Sequence, residues 1–196
     1  MRVILFDADG VLTLQEEAFT VYYAKTRSIN PEPFEEFFRT EWKDIVTGKK
    51  DLKESINENP DLWKWDGTTD ELLELWFKTE DVIDHNILST IAKLRESGFH
   101  CYLATDQEHY RFQYMKEKMF AGYFDGYYAS CEIGVRKSSP QFFEKVIEDL
   151  KSKYSRLSKE NIIFFDDSVS KIESAKKSGI DARLYSHVLQ VEELLT

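Results

Sequence analysis

RVILFDADGVLT, residues 2–13, is the stretch on which the fold turns. Val3-Ile4-Leu5-Phe6 is an apolar run of strand length, and it breaks off at Asp7 and Asp9 with Gly10 behind them. Asp-Gly is a common turn signal, so taken alone the stretch is equally a plain core strand followed by a turn. A calcium loop begun at Asp7 fails, because Leu12 stands where the sharp turn needs glycine and Ala18 where the last ligand needs glutamate. The other reading is an acidic strand end in an α/β protein, where carboxylates at the carboxyl edge of a parallel sheet face the ligand crevice. The rest of the chain decides between them.

Working outward, Phe34, Phe37, Phe38, Trp42 and Ile45 recur at helical spacing behind Pro31 and Pro33, which suit a helix start. Leu72, Leu73 and Trp76 repeat the pattern after Thr68, and Glu71 three residues on completes a capping-box signature. Residues 14–80 therefore read as a small, aromatic-rich helical bundle without strands. From Asp81 the elements alternate. A helix carrying Ile87, Leu88, Ile91 and Leu94 is stopped by Gly98, and strands are expected over 99–104, 126–130, 161–165 and 181–185. Helices over 107–120, 141–153 and 168–178 separate them, and a terminal helix follows. Such alternation implies parallel strands joined by crossovers and covered on both faces. The division expected is an α/β core of residues 1–13 and 81–196, with 14–80 inserted after the first strand.

The chain has 196 residues and a net charge of −10, which weighs against nucleic acid or an anionic membrane as partner. Cys101 and Cys131 lack the spacing of a metal or redox centre and read as free thiols of a reducing compartment. No apolar stretch approaches the ~20 residues of a bilayer span, and Met1-Arg2 leads directly into the first strand without a secretory leader. The expected location is the cytoplasm. Nothing in the sequence assigns an oligomeric state.

If the strand ends share one crevice, the residues just beyond them meet. Thr105 and Asp106 follow the second strand, Lys137 comes after the third, and the pair Asp166-Asp167 ends the fourth. Each has a structural explanation by itself: Thr105 as a helix N-cap, Lys137 as a surface lysine, the acidic pair as a cap. Their recurrence at successive strand ends favours a site. Carboxylates form a hard, oxygen-only site suited to Mg²⁺, which shares its coordination readily with phosphate. A hydroxyl and an ammonium would hold the equatorial oxygens of a transferring phosphoryl group, and a remaining carboxylate could attack phosphorus.

Four segments in this order, FDADGVLT, YLAT, the lysine of IGVRKSSPQFF and IIFFDDSVSKIESAKKSGI, resemble the motifs of the haloacid dehalogenase-like (HAD) hydrolase superfamily. The resemblance is to phosphatase members with a small helical cap after the first strand and an acidic pair in the last motif. It implies a Rossmann-like parallel sheet, Asp7 as nucleophile and Asp9 as general acid/base. It also implies Mg²⁺ held by Asp7, the backbone carbonyl of Asp9 and Asp166, with Asp167 as an outer support. Thr105, Asp106 and Lys137 would bind the phosphate of a small phosphorylated metabolite, a sugar phosphate by analogy. Haloalkanoate-cleaving relatives generally lack the second aspartate, so dehalogenation is disfavoured.

Three positions depart from the pattern. Asp106 stands where asparagine is frequent, Ser138 where proline follows the lysine, and Lys171 where many relatives have asparagine. Asp106 adds charge beside an incoming dianion unless it turns away or meets a cation. The changes at 138 and 171 fall at the edge of the site. A phosphomutase of the same superfamily is the alternative, and a phospho-accepting signalling module is disfavoured because its acidic pair follows the first strand, not the last. Of the tryptophans, Trp63 and Trp65, near Pro60 and Gly67, are expected to be the exposed ones, and the others are expected to be cap core.

Overall fold

The computed structural model describes residues 1–14 and 17–196. Among them five parallel strands, β1 (Val3–Phe6), β2 (His100–Thr105), β3 (Gly126–Ala129), β4 (Ile162–Asp166) and β5 (Asp181–Leu184), form a sheet in the order β3-β2-β1-β4-β5. The chain lays β2 and β3 on one side of β1, then returns to add β4 and β5 on the other. This reversal opens a crevice at the carboxyl end of β1.

Between β1 and β2 lie α1 (Phe19–Arg27), α2 (Glu32–Thr40), α3 (Trp42–Ile45), α4 (Leu52–Glu58), α5 (Pro60–Trp63), α6 (Thr69–Thr79) and α7 (His85–Glu96). α8 (His109–Tyr114) follows β2, and α9 (Ser130–Ile133) and α10 (Pro140–Lys153) follow β3. α11 (Val169–Lys177) joins β4 to β5, and α12 (Leu189–Glu192) comes last.

The period-two geometry of the strands divides the core. Val3 and Leu5 pack with Tyr102, Ala104, Ile162 and Phe164 under α10 and α11, while Ile4 and Phe6 pack with Cys101, Leu103, Ile163 and Phe165 under α7 and α8. Every side chain of β1 is fully buried, which is why the strand reads as an unbroken apolar run. A third cluster, built from Phe19, Tyr23, Phe34, Phe37, Trp63 and Trp76 among others, lies within α1–α6. The two connections between this helical block and the sheet run side by side: Thr13 bridges Ile83 antiparallel, Leu14 N donates to Val82 O (2.8 Å) and Asp84 N to Leu12 O (2.9 Å).

The capping box at Thr68 and Glu71 forms, and Gly98 ends α7 with φ +87°. Elsewhere the elements differ from expectation. The helix expected over 107–120 begins only at His109, because the Glu108 side chain caps it by accepting from the Tyr110 and Arg111 N–H groups. Beyond Tyr114 it widens into a π-helical turn, Met115–Met119. Thr105 is thus no N-cap but the last residue of β2, and residues 106–108 form an irregular link to α8. The third strand stops at Ala129, since Ser130 opens α9. The terminal helix is a single turn. Residues 15 and 16, inside the expected helical block, lie outside the described residues.

Candidate active site

Asp7 N donates to Phe165 O (2.9 Å), extending the β1–β4 ladder by one step and setting Asp7 next to Asp166. Asp7 is 2% exposed and Asp166 0%. Ala8 N donates to Asp7 Oδ1 and Ser168 N to Asp166 Oδ1, both at 2.8 Å, so each carboxylate is held by backbone. Asp167 is exposed, and one oxygen from each of Asp7, Asp166 and Asp167 lies within 4.8 Å of the other two. Gly10 makes room for this cluster: its φ is +82°, and a Cβ there would stand 2.2 Å from Asp167 Oδ2.

Lys137, 0% exposed, pairs with Asp7 Oδ1 and lies 2.8 Å from Asp166 Oδ2. Lys171 reaches across from α11, with Nζ 3.3 Å from Asp7 Oδ2 and 3.9 Å from Asp166 Oδ1. Burial by itself would raise both carboxylic acids. At Asp7 the two ammonium groups outweigh burial and hold the pKa down at about 2. At Asp166 burial and the neighbouring Asp7 charge prevail over the lysines and push it up to about 7.

Thr105 ends β2 beside this pair and is buried. Asp106 satisfies the condition that its charge requires: Oδ1 accepts from Lys137 N (2.8 Å) and Oδ2 from Arg136 Nε (3.2 Å). Its carboxylate is thereby neutralised and helps fix the Lys137 backbone.

Asp9 points away from the carboxylate cluster. Arg111 grips it with two bonds of 2.8 Å, Nη1 to Oδ2 and Nη2 to Oδ1, Gln107 Nε2 donates to Oδ2 (2.9 Å) and Thr13 Oγ1 to Oδ1 (3.3 Å). A planar guanidinium fork fixes a carboxylate in both position and orientation. Arg111 Nε also lies 3.3 Å from Glu80 Oε2, and Glu80 Oε1 accepts from Phe19 N (3.0 Å). The Asp9 carboxylate is therefore wired to both ends of the helical block. Ser130 adds a second tie, donating to Val46 O (2.6 Å) while accepting from Gln107 N (3.0 Å).

Residues 1–179 match the family model described as haloacid dehalogenase-like hydrolase, nearly the whole chain. The chain is a haloacid dehalogenase-like hydrolase. Solved structures similar to this hydrolase include a HAD family enzyme from Bacteroides thetaiotaomicron, at 19% identity and TM-score 0.80 over 100% of this chain and 98% of that one. A predicted HAD-like family hydrolase from Porphyromonas gingivalis gives 21% identity and TM-score 0.78 over 100% and 98%. The Bacteroides enzyme in complex with magnesium and inorganic phosphate gives 21% identity and TM-score 0.77 over 95% and 94%. Among curated proteins, none matches significantly.

In this haloacid dehalogenase-like hydrolase the donor set fits a hard dication. Asp7, Asp166 and Asp167 bring carboxylate oxygens only within 4.8 Å of one another, the donor type a hard dication takes. The Asp9 side chain, held by Arg111, stands outside that set, which leaves its backbone carbonyl as the group through which it could join.

Two sequence expectations change here. Lys171 is no edge substitution, because its ammonium sits on the two buried carboxylates. Trp63 is 1% exposed, its ring enclosed by Tyr23, Phe34, Phe37 and Trp76, whereas Trp65 is half-buried under Arg27. Arg111 and Gln107 escaped the sequence reading entirely. An arginine on an amphipathic helix carries no mark that its partner lies across the sheet edge.

Proposed function

We propose that this hydrolase cleaves phosphate monoesters of a small metabolite with Mg²⁺, through an aspartyl-phosphate on Asp7. The observation that carries this reading is the meeting of Asp7, Asp166 and Asp167 with the buried Lys137 at one strand edge. The Bacteroides enzyme of similar fold, in complex with magnesium and inorganic phosphate, supports it. Bound between Asp7, Asp166, the Asp9 carbonyl and Asp167, Mg²⁺ would supply charge to the phosphoryl oxygens.

The chain's own residues would do the rest. Asp7, kept ionised by Lys137 and Lys171, attacks phosphorus through a carboxylate oxygen, and the ester P–O bond breaks. Asp9 gives its proton to the departing alcohol oxygen. It then takes a proton from water as that oxygen bonds to phosphorus and the Asp7 acyl-phosphate bond breaks, which restores both carboxyl groups. Thr105 and Lys137 hold the phosphoryl oxygens, with Asp106 acting through the Lys137 backbone. Residues 14–80 serve as a cap over a core of 1–13 and 81–196, and the paired connections at 13–14 and 82–83 are its hinge. No helix among the described residues is long and apolar enough to cross a membrane, and the free, buried cysteines agree with a cytoplasmic site of action.

The test is phosphate release from a panel of phosphate monoesters, with and without Mg²⁺, alongside Asp7→Asn. Activity should vanish with chelator and fall about a thousandfold or more in the variant. Radiolabelled substrate, quenched early, should leave label on the protein that hydroxylamine removes. A protein that is never labelled while turning over would exclude the covalent route, and isomerised substrate in place of free phosphate would indicate a mutase.

A further inference from the structure

Beside Asp9 the helical block and the sheet edge enclose a cavity of about 380 Å³, walled by Phe19, Phe38, Trp42 and Trp76 and floored by Asp9 and Gln107. Phe19 stacks on Trp76 (5.1 Å between centroids, 12° between planes), Trp76 on Trp42 (6.0 Å, 24°), and Phe38 meets Trp42 at 4.8 Å. Phe19 and Trp76 are buried and anchor the wall. Phe38 and Trp42 are half-buried and present ring surface to the space.

The polar groups at the rim are largely committed. Asp9 is held by Arg111, Gln107 and Thr13; Glu80 is tied to Arg111 and Phe19 N; Asp106 faces Arg136 and Lys137 N. Gln107 differs. Its Nε2 donates to Asp9 Oδ2 (2.9 Å), and its Oε1 is closed off from solvent without a partner.

We propose that the alcohol released from the phosphate ester carries a compact planar ring that stacks on this wall, and that polyol phosphates are poor substrates. This rests on the phosphomonoesterase reading of the same site. The cavity is of small-ligand size, and its wall offers offset stacking. Several sugar hydroxyls entering it would give up water against ring carbons, and buried polar groups left unpaired are what separate good substrates from bad most strongly.

The experiment compares kcat/KM for meta-hydroxybenzyl phosphate, benzyl phosphate and a hexose 6-phosphate, all esters of primary alcohols of similar acidity, with acetyl phosphate as the ringless reference. The benzyl esters should exceed the hexose phosphate by about a hundredfold. Trp42→Ala should reduce the benzyl-to-acetyl ratio about tenfold, and Trp42→Phe, which keeps a ring, should preserve most of it. Hexose phosphate turned over as well as the benzyl esters, or a ratio unmoved in Trp42→Ala, overturns the inference and leaves the phosphatase reading standing. If acetyl phosphate is not hydrolysed either, the phosphatase reading itself fails. Calorimetry with benzylphosphonate on Asp7→Asn then measures the cavity without the chemistry, and binding no tighter than that of hexose phosphate rejects the ring preference.

Discussion

Lys171 Nζ stands 3.3 Å from Asp7 Oδ2, so the carboxylate assigned to attack phosphorus is already paired with a cation from α11. The same ammonium is 3.9 Å from Asp166 Oδ1. A dication entering this cluster meets a positive charge that must be outweighed or moved. Lys171→Met should therefore bind Mg²⁺ about tenfold more tightly, equivalent to ~1.4 kcal/mol, in calorimetric titration. The variant should at the same time need more phosphate ester for half-maximal rate, having lost a cation beside the phosphoryl group. Equal Mg²⁺ affinities would show that the ammonium yields without cost.

Arg111 should govern how well Asp9 transfers protons. Its two bonds to Asp9 and its contact with Glu80 require the planar fork, which a lysine cannot reproduce. Arg111→Lys is expected to lower kcat by roughly tenfold to a hundredfold with a smaller change in KM, by analogy with other positioning losses. Steady-state rates on benzyl phosphate, whose alkoxide leaving group needs a proton, would decide it, and an unchanged kcat would reduce Arg111 to a structural strut.

Trp63 should matter to stability and not to substrate choice. Its carbonyl accepts from Tyr23 Oη (2.7 Å) and its ring is packed among four aromatic neighbours. Trp63→Ala should cost about 3–5 kcal/mol in urea unfolding, as large-to-small core changes do. Rates on different esters should keep their ratios in whatever fraction remains folded. A stable variant with altered ratios would contradict the packing described here.

Glu108 predicts a pH dependence of stability. Burial raises it from 4.5 to about 7, against the lowering pull of the two helix N–H groups and Arg111, with Asp51 adding a further upward push. The folded protein therefore holds this proton where the unfolded chain has lost it. Its contribution is fully present below about pH 4.5 and is lost as pH rises through about 7, by up to about 3 kcal/mol. Glu108→Gln should flatten that decline in urea midpoints measured from about pH 4.5 to about pH 8. A wild-type profile that rises across the window would show that other groups dominate.

The parts of the site legible in the sequence are those fixed by strand ends. Periodicity locates β1, β2 and β4, and parallel topology then brings Asp7, Thr105 and Asp166 to one edge without knowledge of any side-chain contact. Lys137 was legible from its place after the third strand, although nothing in the sequence told that it is buried between two carboxylates. Arg111, Gln107 and Lys171 act through long side chains across the crevice, and such contacts leave no local signature. Lys171 was visible as a departure, but a departure does not say where its ammonium points. Trp63 was misjudged because Pro60 and Gly67 bracket it like a loop, whereas the short α5 turns its ring inward.

The paired connections at Leu12–Leu14 and Val82–Asp84 bear on how such a chain is assembled and reworked. Because departure and return are hydrogen-bonded neighbours, the ends of the helical block are about as close as the ends of a hairpin loop. Strand order and register at this place depend little on the length of what is inserted, since the two connections already pair and closure cost grows slowly with loop length. The same junction would accept a short turn or a foreign helical module in place of residues 15–81. Any module placed there would have to keep a carboxylate where Glu80 meets Arg111, because the guanidinium that holds Asp9 is anchored on the helical block.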